Sequence, residues 1–355
     1  MLLSAPRVLA LDCMGGDFGP SVVVPGAAIA LERHPRLMFE LYGDEVRILA
    51  ELDRYPALKA CSSVHHTELV IAMDAKPSQA VRRGKGSSMW MAIEAVKSGQ
   101  AQFAVSAGNT GALMAISLIV LKAIPGIDRP ALAGQWPTIS SPSIVLDVGA
   151  NIGSTARDLA DFALMGAAMA RAVLNVERPT VGLLNVGTEE IKGVEEVKRA
   201  HNWLKQVELE FDYRGFVEGD QIGQHLVDVV VVEGFAGNIA LKTAEGTAKQ
   251  IATYLKEAMT SSPMAKLGAL LAKGGFGVLK QRMDPRRVNG GTFLGLNGIV
   301  IKSHGGTDAE GFASAIEVGY GMAARGIVDH LTRTVAAFHD KIDAIVEQEE
   351  GKTNH

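Results

Sequence analysis

Cysteine is almost absent from this chain. Only Cys13 and Cys61 occur among 355 residues, with no CxxC pair, so neither a disulfide framework nor a thiolate zinc site is encoded, and a reducing compartment fits. Aromatic residues are scarce at 5%. Ala, Gly, Val and Leu dominate instead, which suits buried parallel strands under closely packed helices. No excess of positive charge exists: the formal net charge is −4, which argues against a nucleic-acid partner. No secretory leader is expected, since Met1–Leu3 is too short an apolar run and Arg7 follows. Residues 98–121 carry no charge over a length that would cross a bilayer, but "SAGNTGA" interrupts them, so strand, loop and helix are predicted there. Repeats and low-complexity linkers are lacking.

What is present is a core-forming chain, 47% hydrophobic, with a repeated punctuation. A short apolar run ends and a glycine-rich polar loop begins. "RVLALD" (7–12) enters "CMGGDFGP", "MFELY" (38–42) enters Gly43-Asp44, and "FAVS" (103–106) enters "AGNTGA". "SIVLD" (143–147) enters "VGAN", "TVGLLN" (180–185) enters "VGTEEIKG", "VDVVVVE" (227–233) enters "GFAGN", and "GIVIK" (298–302) enters "SHGG". Helical segments at 156–175, 239–259 and 310–338 lie between. Alternating strands and helices predict an α/β domain with a mostly parallel sheet. Ligands in such sheets sit beyond the carboxyl ends of the strands. Tight turns alone explain the glycines, but not the Asn and charged residues beside them, so one shared site at these loops is expected.

Familiar motifs fail. "RRGKGSSM" (82–89) has the Gly-Lys pair of a phosphate loop, but Gln79 stands where the first glycine is required. Its basic residues either meet an anionic partner or form a solvated loop. "GYGMAA" (319–324) follows a helical pattern, so it is no dinucleotide fingerprint. GxSxG, HExxH and clustered histidines are missing, no metal is expected, and His65-His66 reads as surface. In "SAGNTGA", a helix starting near Thr110 offers free N–H groups for a phosphate, or Asn109 and Thr110 merely cap it. "VGTEEIKG" brings Lys192 beside two carboxylates. "GFAGN" offers backbone N–H groups and Asn238 to an oxyanion. Cys13 reads as a small buried residue more readily than as a nucleophile.

These loops together resemble one family, the bacterial phosphate acyltransferases that convert acyl–acyl carrier protein and inorganic phosphate into acyl phosphate. The resemblance runs from about residue 7 to 330. It rests on "ALDCMGGDFGP", "SAGNTGAL", "GIDRPALAGQWPT", "LDVGAN", "LLNVGTEEIKG", "VEGFAGNIALKTAEG" and "FLGLNGIVIKSHGG", seven motifs in fixed order. The family usually has Ala at position 13 and Asp at position 233. The resemblance implies a three-layer α/β/α sandwich with a mostly parallel sheet, like isocitrate and isopropylmalate dehydrogenases. It implies a homodimer, no cofactor and a place in phospholipid synthesis. Residues 1–340 would form one catalytic domain, with a helical hairpin inserted around 260–287 and a polar tail at 341–355. Lys192, Asn238 and His304 are the catalytic candidates. Lys192 would hold phosphate with the "GNTG" loop, Asn238 would meet the oxyanion, and His304 would protonate the leaving sulfur or be structural. Asp12, Gly15, Gly16, Asp17, Ser106, Gly108, Asn109, Thr110, Gly111, Asp147, Asn151 and Gly237 would bind phosphate or substrate. The rivals are a dehydrogenase, a phosphotransacetylase using acetyl-coenzyme A, and a non-catalytic docking scaffold.

One segment stands apart. Residues 263–287 hold six Lys/Arg and one acid, with Leu267, Leu270, Leu271, Phe276 and Leu279 at helical spacing. They would enter a membrane interface, keeping a cytoplasmic protein peripherally bound beside the membrane glycerol-3-phosphate acyltransferase that uses acyl phosphate. The alternative is a hairpin packed in a dimer interface or covering the sheet. Arg82, Arg83, Lys85 and the basic residues of 266–287 are candidates to receive the acidic carrier protein.

Overall fold

The computed structural model describes residues 6–282 and 284–353. Eleven strands form one sheet in the order β3-β2-β1-β4-β11-β10-β5-β6-β9-β7-β8. In chain order they are β1 (Arg7–Asp12), β2 (Leu37–Gly43), β3 (Ser62–His66), β4 (Phe103–Ser106), β5 (Ala131–Trp136), β6 (Ser143–Leu146), β7 (Thr180–Leu184), β8 (Asp212–Val217), β9 (Val229–Val231), β10 (Gly291–Leu294) and β11 (Ile299–Lys302). The helices are α1 (Pro20–Arg33), α2 (Glu45–Leu52), α3 (Pro56–Lys59), α4 (Pro77–Arg83), α5 (Ser88–Lys97), α6 (Thr110–Leu121), α7 (Ala156–Val173), α8 (Glu195–Gln206), α9 (Gly234–Thr260), α10 (Pro263–Leu271), α11 (Lys273–Arg282), α12 (Ala309–Ala324) and α13 (Ile327–Thr353).

Successive strand residues point to opposite faces, and here both faces are buried. Leu9, Leu11, Phe103, Val105, Ile144, Leu146, Val229 and Val231 pack under α1, α7, α12 and α13. Ala10, Ala104, Val145, Val230 and Val300 face the other way, toward α4, α5, α6 and α9. The three layers follow. Each fully buried large apolar side chain contributes roughly 1.5–3 kcal/mol.

Seven strand pairings are parallel, which makes the sheet mostly parallel as expected. Three consecutive ones, β11·β10, β10·β5 and β5·β6, are antiparallel. These three reverse the sheet. Leu11, Val105, Ile301, Thr292, Ala133, Leu146, Val231 and Leu183 lie in one row across it. Beyond this row β1, β4 and β11 leave on one side, at Asp12, Ser106 and Lys302. β6, β9 and β7 leave on the other.

All seven expected strands form. β3, β5, β8 and β10 add to them: β3 is polar, and β5, β8 and β10 are short or hold glycine. The predicted helix over 310–338 is two helices, with a turn at Arg325-Gly326. α13 also continues past position 340, where a polar tail was expected, because Ile342 and Ile345 belong to the core. The uncharged span 98–121 resolves into β4, a loop and α6, and no described helix is long and apolar enough to cross a membrane. α9 buries only Gly234 and Gly237, and α10 buries nothing. The start of α9, through Leu241, packs on the sheet, and α10 does not cover it.

"GYGMAA" falls inside α12, where its first glycine serves packing. A Cβ at Gly319 would sit 2.3 Å from Cδ2 and 2.6 Å from Cε2 of Phe103. That ring is fully buried and has no room to retreat. Gly319→Ala should lower stability by roughly 1–3 kcal/mol, read as a lower urea midpoint at unchanged slope.

Candidate functional site

The strand-end loops form two clusters. The first gathers the ends of β1, β4 and β11. Asp12 is buried, and its Oδ2 accepts from Ser106 Oγ at 2.6 Å while its Oδ1 accepts from the Met14 N–H at 3.2 Å. Ser88 and the Gly15 N–H also hydrogen-bond to it. Burial raises the Asp12 pKa, and these four hydrogen bonds oppose the rise. The Gly108 N–H donates to Ser106 Oγ at 3.0 Å. Gly15 has no alternative here, because a Cβ would lie 2.6 Å from Asp12 Oδ2 and 2.7 Å from Gly108 N. Gly16 turns the chain at φ 85°, which disfavours other residues. The Asp17 N–H then donates to Gly305 O at 2.9 Å, tying the loop after β1 to the loop after β11.

His304 is exposed on that second loop. Its Nδ1 accepts from the Gly306 N–H at 3.2 Å, so the neutral ring carries its proton on Nε2, free to donate to a ligand. The loop is held by Asn289, whose Nδ2 donates to Ser303 Oγ at 2.8 Å and whose Oδ1 accepts from the His304 N–H at 3.0 Å. Asn109 is the N-cap of α6, accepting from the Ala112 N–H at 2.8 Å. The capping alternative thus describes its oxygen, while the N–H groups of Thr110 and Gly111 still open the helix.

The second cluster lies past β6, β9 and β7. Asp147 is fully buried. Its oxygens accept from the N–H groups of Leu132, Gly149, Ala150 and Asn151, and from Asn151 Nδ2, at 2.7–3.1 Å. With five donors spent on it, this carboxylate organises its loop. Gly237 packs α9 against that loop, where a Cβ would stand 1.9 Å from Asp147 O. Asn238 Nδ2 donates to Val148 O at 3.2 Å. Glu233 reaches as far as the cap requires: it accepts from Ala236 N at 3.2 Å and from Gly153 N at 2.9 Å. A carboxylate seated at the start of α9 makes the "GFAGN" amides a poor place for an oxyanion. Lys192 is exposed and pairs with Glu189 at 2.8 Å, which raises its pKa.

The expected single site is therefore divided. Asp12, Gly15, Gly16, Asp17, Ser106, Gly108, Asn109, Thr110, Gly111 and His304 stand together. Asp147, Asn151, Gly237 and Asn238 stand together elsewhere. From β11 to β7, which carries the Lys192 loop, is five strand spacings, about 24 Å. Cys13 is buried, and burial together with the Asp12 charge pushes its thiol well up, which disfavours a thiolate nucleophile. Among the described residues no group of His, Cys, Asp and Glu is arranged to hold a metal. Sequence reasoning missed Ser88, Asn289 and Lys302. Lys302 is the charged residue that ends the apolar run "GIVIK", and that was its available signal.

Asp147→Ala should remove the acceptor of several buried N–H groups at once. Each orphaned donor costs about 1–3 kcal/mol, so a loss of several kcal/mol is expected in chemical denaturation.

Comparison with known proteins bears on the family and the fold. Residues 7–330 match the family described as "Fatty acid synthesis protein". The phosphate acyltransferase of Afipia carboxidovorans is 62% identical over 328 residues, covering 92% of this chain and 93% of that one. That of Sinorhizobium fredii is 60% identical over 333 residues, covering 93% and 96%. The fold is shared with a phosphotransacetylase from Streptococcus pyogenes, at TM-score 0.60 and 19% identity over 90% of this chain and 94% of that one. It is also shared with the EutD phosphotransacetylase from Staphylococcus aureus, at TM-score 0.57 and 17% identity over 89% and 94%. By sequence along nearly its whole length, this chain belongs to the fatty acid synthesis protein family, among the phosphate acyltransferases.

Proposed function

We propose that this acyltransferase moves a long-chain acyl group from acyl–acyl carrier protein to inorganic phosphate, giving acyl phosphate for phospholipid synthesis. The observation that carries the reading is the 62% identity to a phosphate acyltransferase across 93% of that relative. The chemistry asks for little beyond placement. A phosphate oxygen attacks the thioester carbonyl, an oxyanion forms, and the carrier's thiolate leaves. Phosphate is already a nucleophile at neutral pH, so no covalent acyl-enzyme is needed, and positioning with electrostatic stabilisation suffices.

The first cluster suits this chemistry better than the second. It has the open N-terminus of α6, which favours an anion, and His304 with a proton on Nε2 to donate. The second cluster spends its carboxylates and Asn238 on its own backbone. His304 protonates the departing sulfur, while Asp12 and Ser106 fix the floor of the site. His304→Ala should lower turnover about 10²-fold or more, measured as acyl phosphate formed from carrier thioester and phosphate, with folding intact. Lys192→Ala and Asn238→Ala should cost far less. The opposite ranking would move the reaction to the second cluster.

Two surfaces serve the substrates. Arg82, Arg83 and Lys85 are exposed at the end of α4, which packs on α6 beside the first cluster. They receive the acidic carrier, and high salt weakens that contact. The hairpin tip meets the membrane. Leu267, Leu270 and Leu271 are 51%, 65% and 81% exposed, with Lys266 and Lys273 exposed beside them and Phe276 half-buried. The side chain of Leu279 lies outside the described residues. Each lysine near anionic lipid adds about 1 kcal/mol, enough with a few leucines for reversible docking. An acyl product, gaining about 0.8 kcal/mol per buried CH₂, then passes to the membrane glycerol-3-phosphate acyltransferase without crossing water. Such a protein is cytoplasmic and peripherally bound. Two copies pair through the apolar side chains left open along α9, among them Ile251 and Tyr254. Leu270→Glu with Leu271→Glu should abolish sedimentation with anionic vesicles and leave turnover on soluble carrier unchanged. Retained sedimentation would remove the tip from the account.

A further inference from the structure

Lys302 ends β11 inside the first cluster. It is part-buried, and its Nζ donates to Ser303 O and, at 3.4 Å, to Ala107 O. Two backbone carbonyls thus take two of its three N–H groups, and neither carries a full charge. It makes no ion pair among the described residues. A cation drawn out of water without a partner is costly, so this arrangement asks for an anion.

The nearby carboxylates do not supply one. Asp12 already receives Ser106, Ser88 and the N–H groups of Met14 and Gly15. Asp17 is exposed on the next loop. The other neighbours bring no charge to it. β4 contributes Ser106 and Ala107, β10 contributes Gly291, and α6 has no ionisable side chain. The two carboxylates of α12, Glu310 and Glu317, are taken up by Arg33. His304 lies two residues along and is exposed. The loops leave Lys302, His304 Nε2–H and the first N–H groups of α6 as donors at one edge of the sheet.

We infer that Lys302 is a phosphate-binding residue of the reaction, its ammonium holding the inorganic phosphate at the ends of β1, β4 and β11 while the carbonyls of Ala107 and Ser303 fix its position. This rests on the acyltransferase reading of the same cluster. A phosphate dianion meets the remaining N–H. Charge-assisted hydrogen bonds of this kind are the strong ones.

The protonation of Lys302 adds a readout. Burial lowers its pKa to about 8, against the pull of Asp12 and Asp17. In the free protein the ammonium is present below that value and lost as pH rises through it. Phosphate stays doubly negative over that range, and bound phosphate favours the charged form. Phosphate binding above pH about 8 should therefore take up a proton.

The test is steady-state kinetics of Lys302→Met with inorganic phosphate varied at saturating carrier thioester. The KM for phosphate should rise about ten- to a hundredfold, with the KM for the thioester unchanged. In the wild type that phosphate KM should climb as pH passes about 8, and in Lys302→Met it should not. An unchanged phosphate KM, or an identical pH profile in both proteins, overturns the assignment. Should the variant fold poorly, calorimetry of phosphate binding to the wild-type protein in buffers of different ionisation heat decides. Proton uptake at pH near 8.5 supports the assignment, and its absence overturns it. A wild type that makes no acyl phosphate would instead remove the underlying acyltransferase reading, and the two failures are distinct.

Discussion

The antiparallel run from β11 through β10 and β5 to β6 is the constraint on which this architecture turns. Parallel strands all deliver their carboxyl ends to one edge. Three antiparallel pairings in the middle send the strands of the other half of the sheet, from β6 onward, the opposite way. The row from Leu11 to Leu183 is shared by both halves, but Asp12, Ser106 and Lys302 leave it on one side and Asp147 on the other. Loops with near-identical sequence character are thereby sorted into two clusters.

The two clusters differ in what they leave unspent. In the second, Asp147 takes five donors, Glu233 caps α9, and Asn238 is tied to Val148. In the first, Asp12 and Ser106 satisfy each other, and that buried contact supports an edge where donors remain. His304, the start of α6 and Lys302 are held by neighbours that do not neutralise them. Electrostatic catalysis needs donors fixed before the charge develops, and the first cluster has that arrangement.

The sequence foretold the fold class and seven of the strands because apolar runs with two-sided burial need no tertiary context to read. β3 escaped notice because an edge strand can be polar, as Ser62 and His66 are. β5 and β10 escaped because β5 is interrupted by Gly134 and β10 has only four residues, too few to carry a period. Part of the polar punctuation has a local task. Asp44, Asn109 and Glu233 each cap a helix, which nothing in the spacing separates from ligand binding. That Asp12, Asp17, Ser106 and His304 lie on strand-end loops was legible. Their separation from Lys192 was not, since strand direction depends on pairings between residues far apart in the chain. Lys302 was visible only as a charge at the end of an apolar run.

On the proposed reading, the hairpin and the sheet would divide the labour of one problem, a product with a long acyl chain. The sheet edge would fix a small hydrophilic anion, and the exposed leucines of α10 would face lipid. The account stands or falls on where that anion sits. Diffraction from crystals of the whole protein grown with inorganic phosphate locates it directly. Density for phosphate among Lys302, His304 and the start of α6 is the expected result. Phosphate seated instead by Lys192 and Asn238, with the first cluster empty, would contradict it.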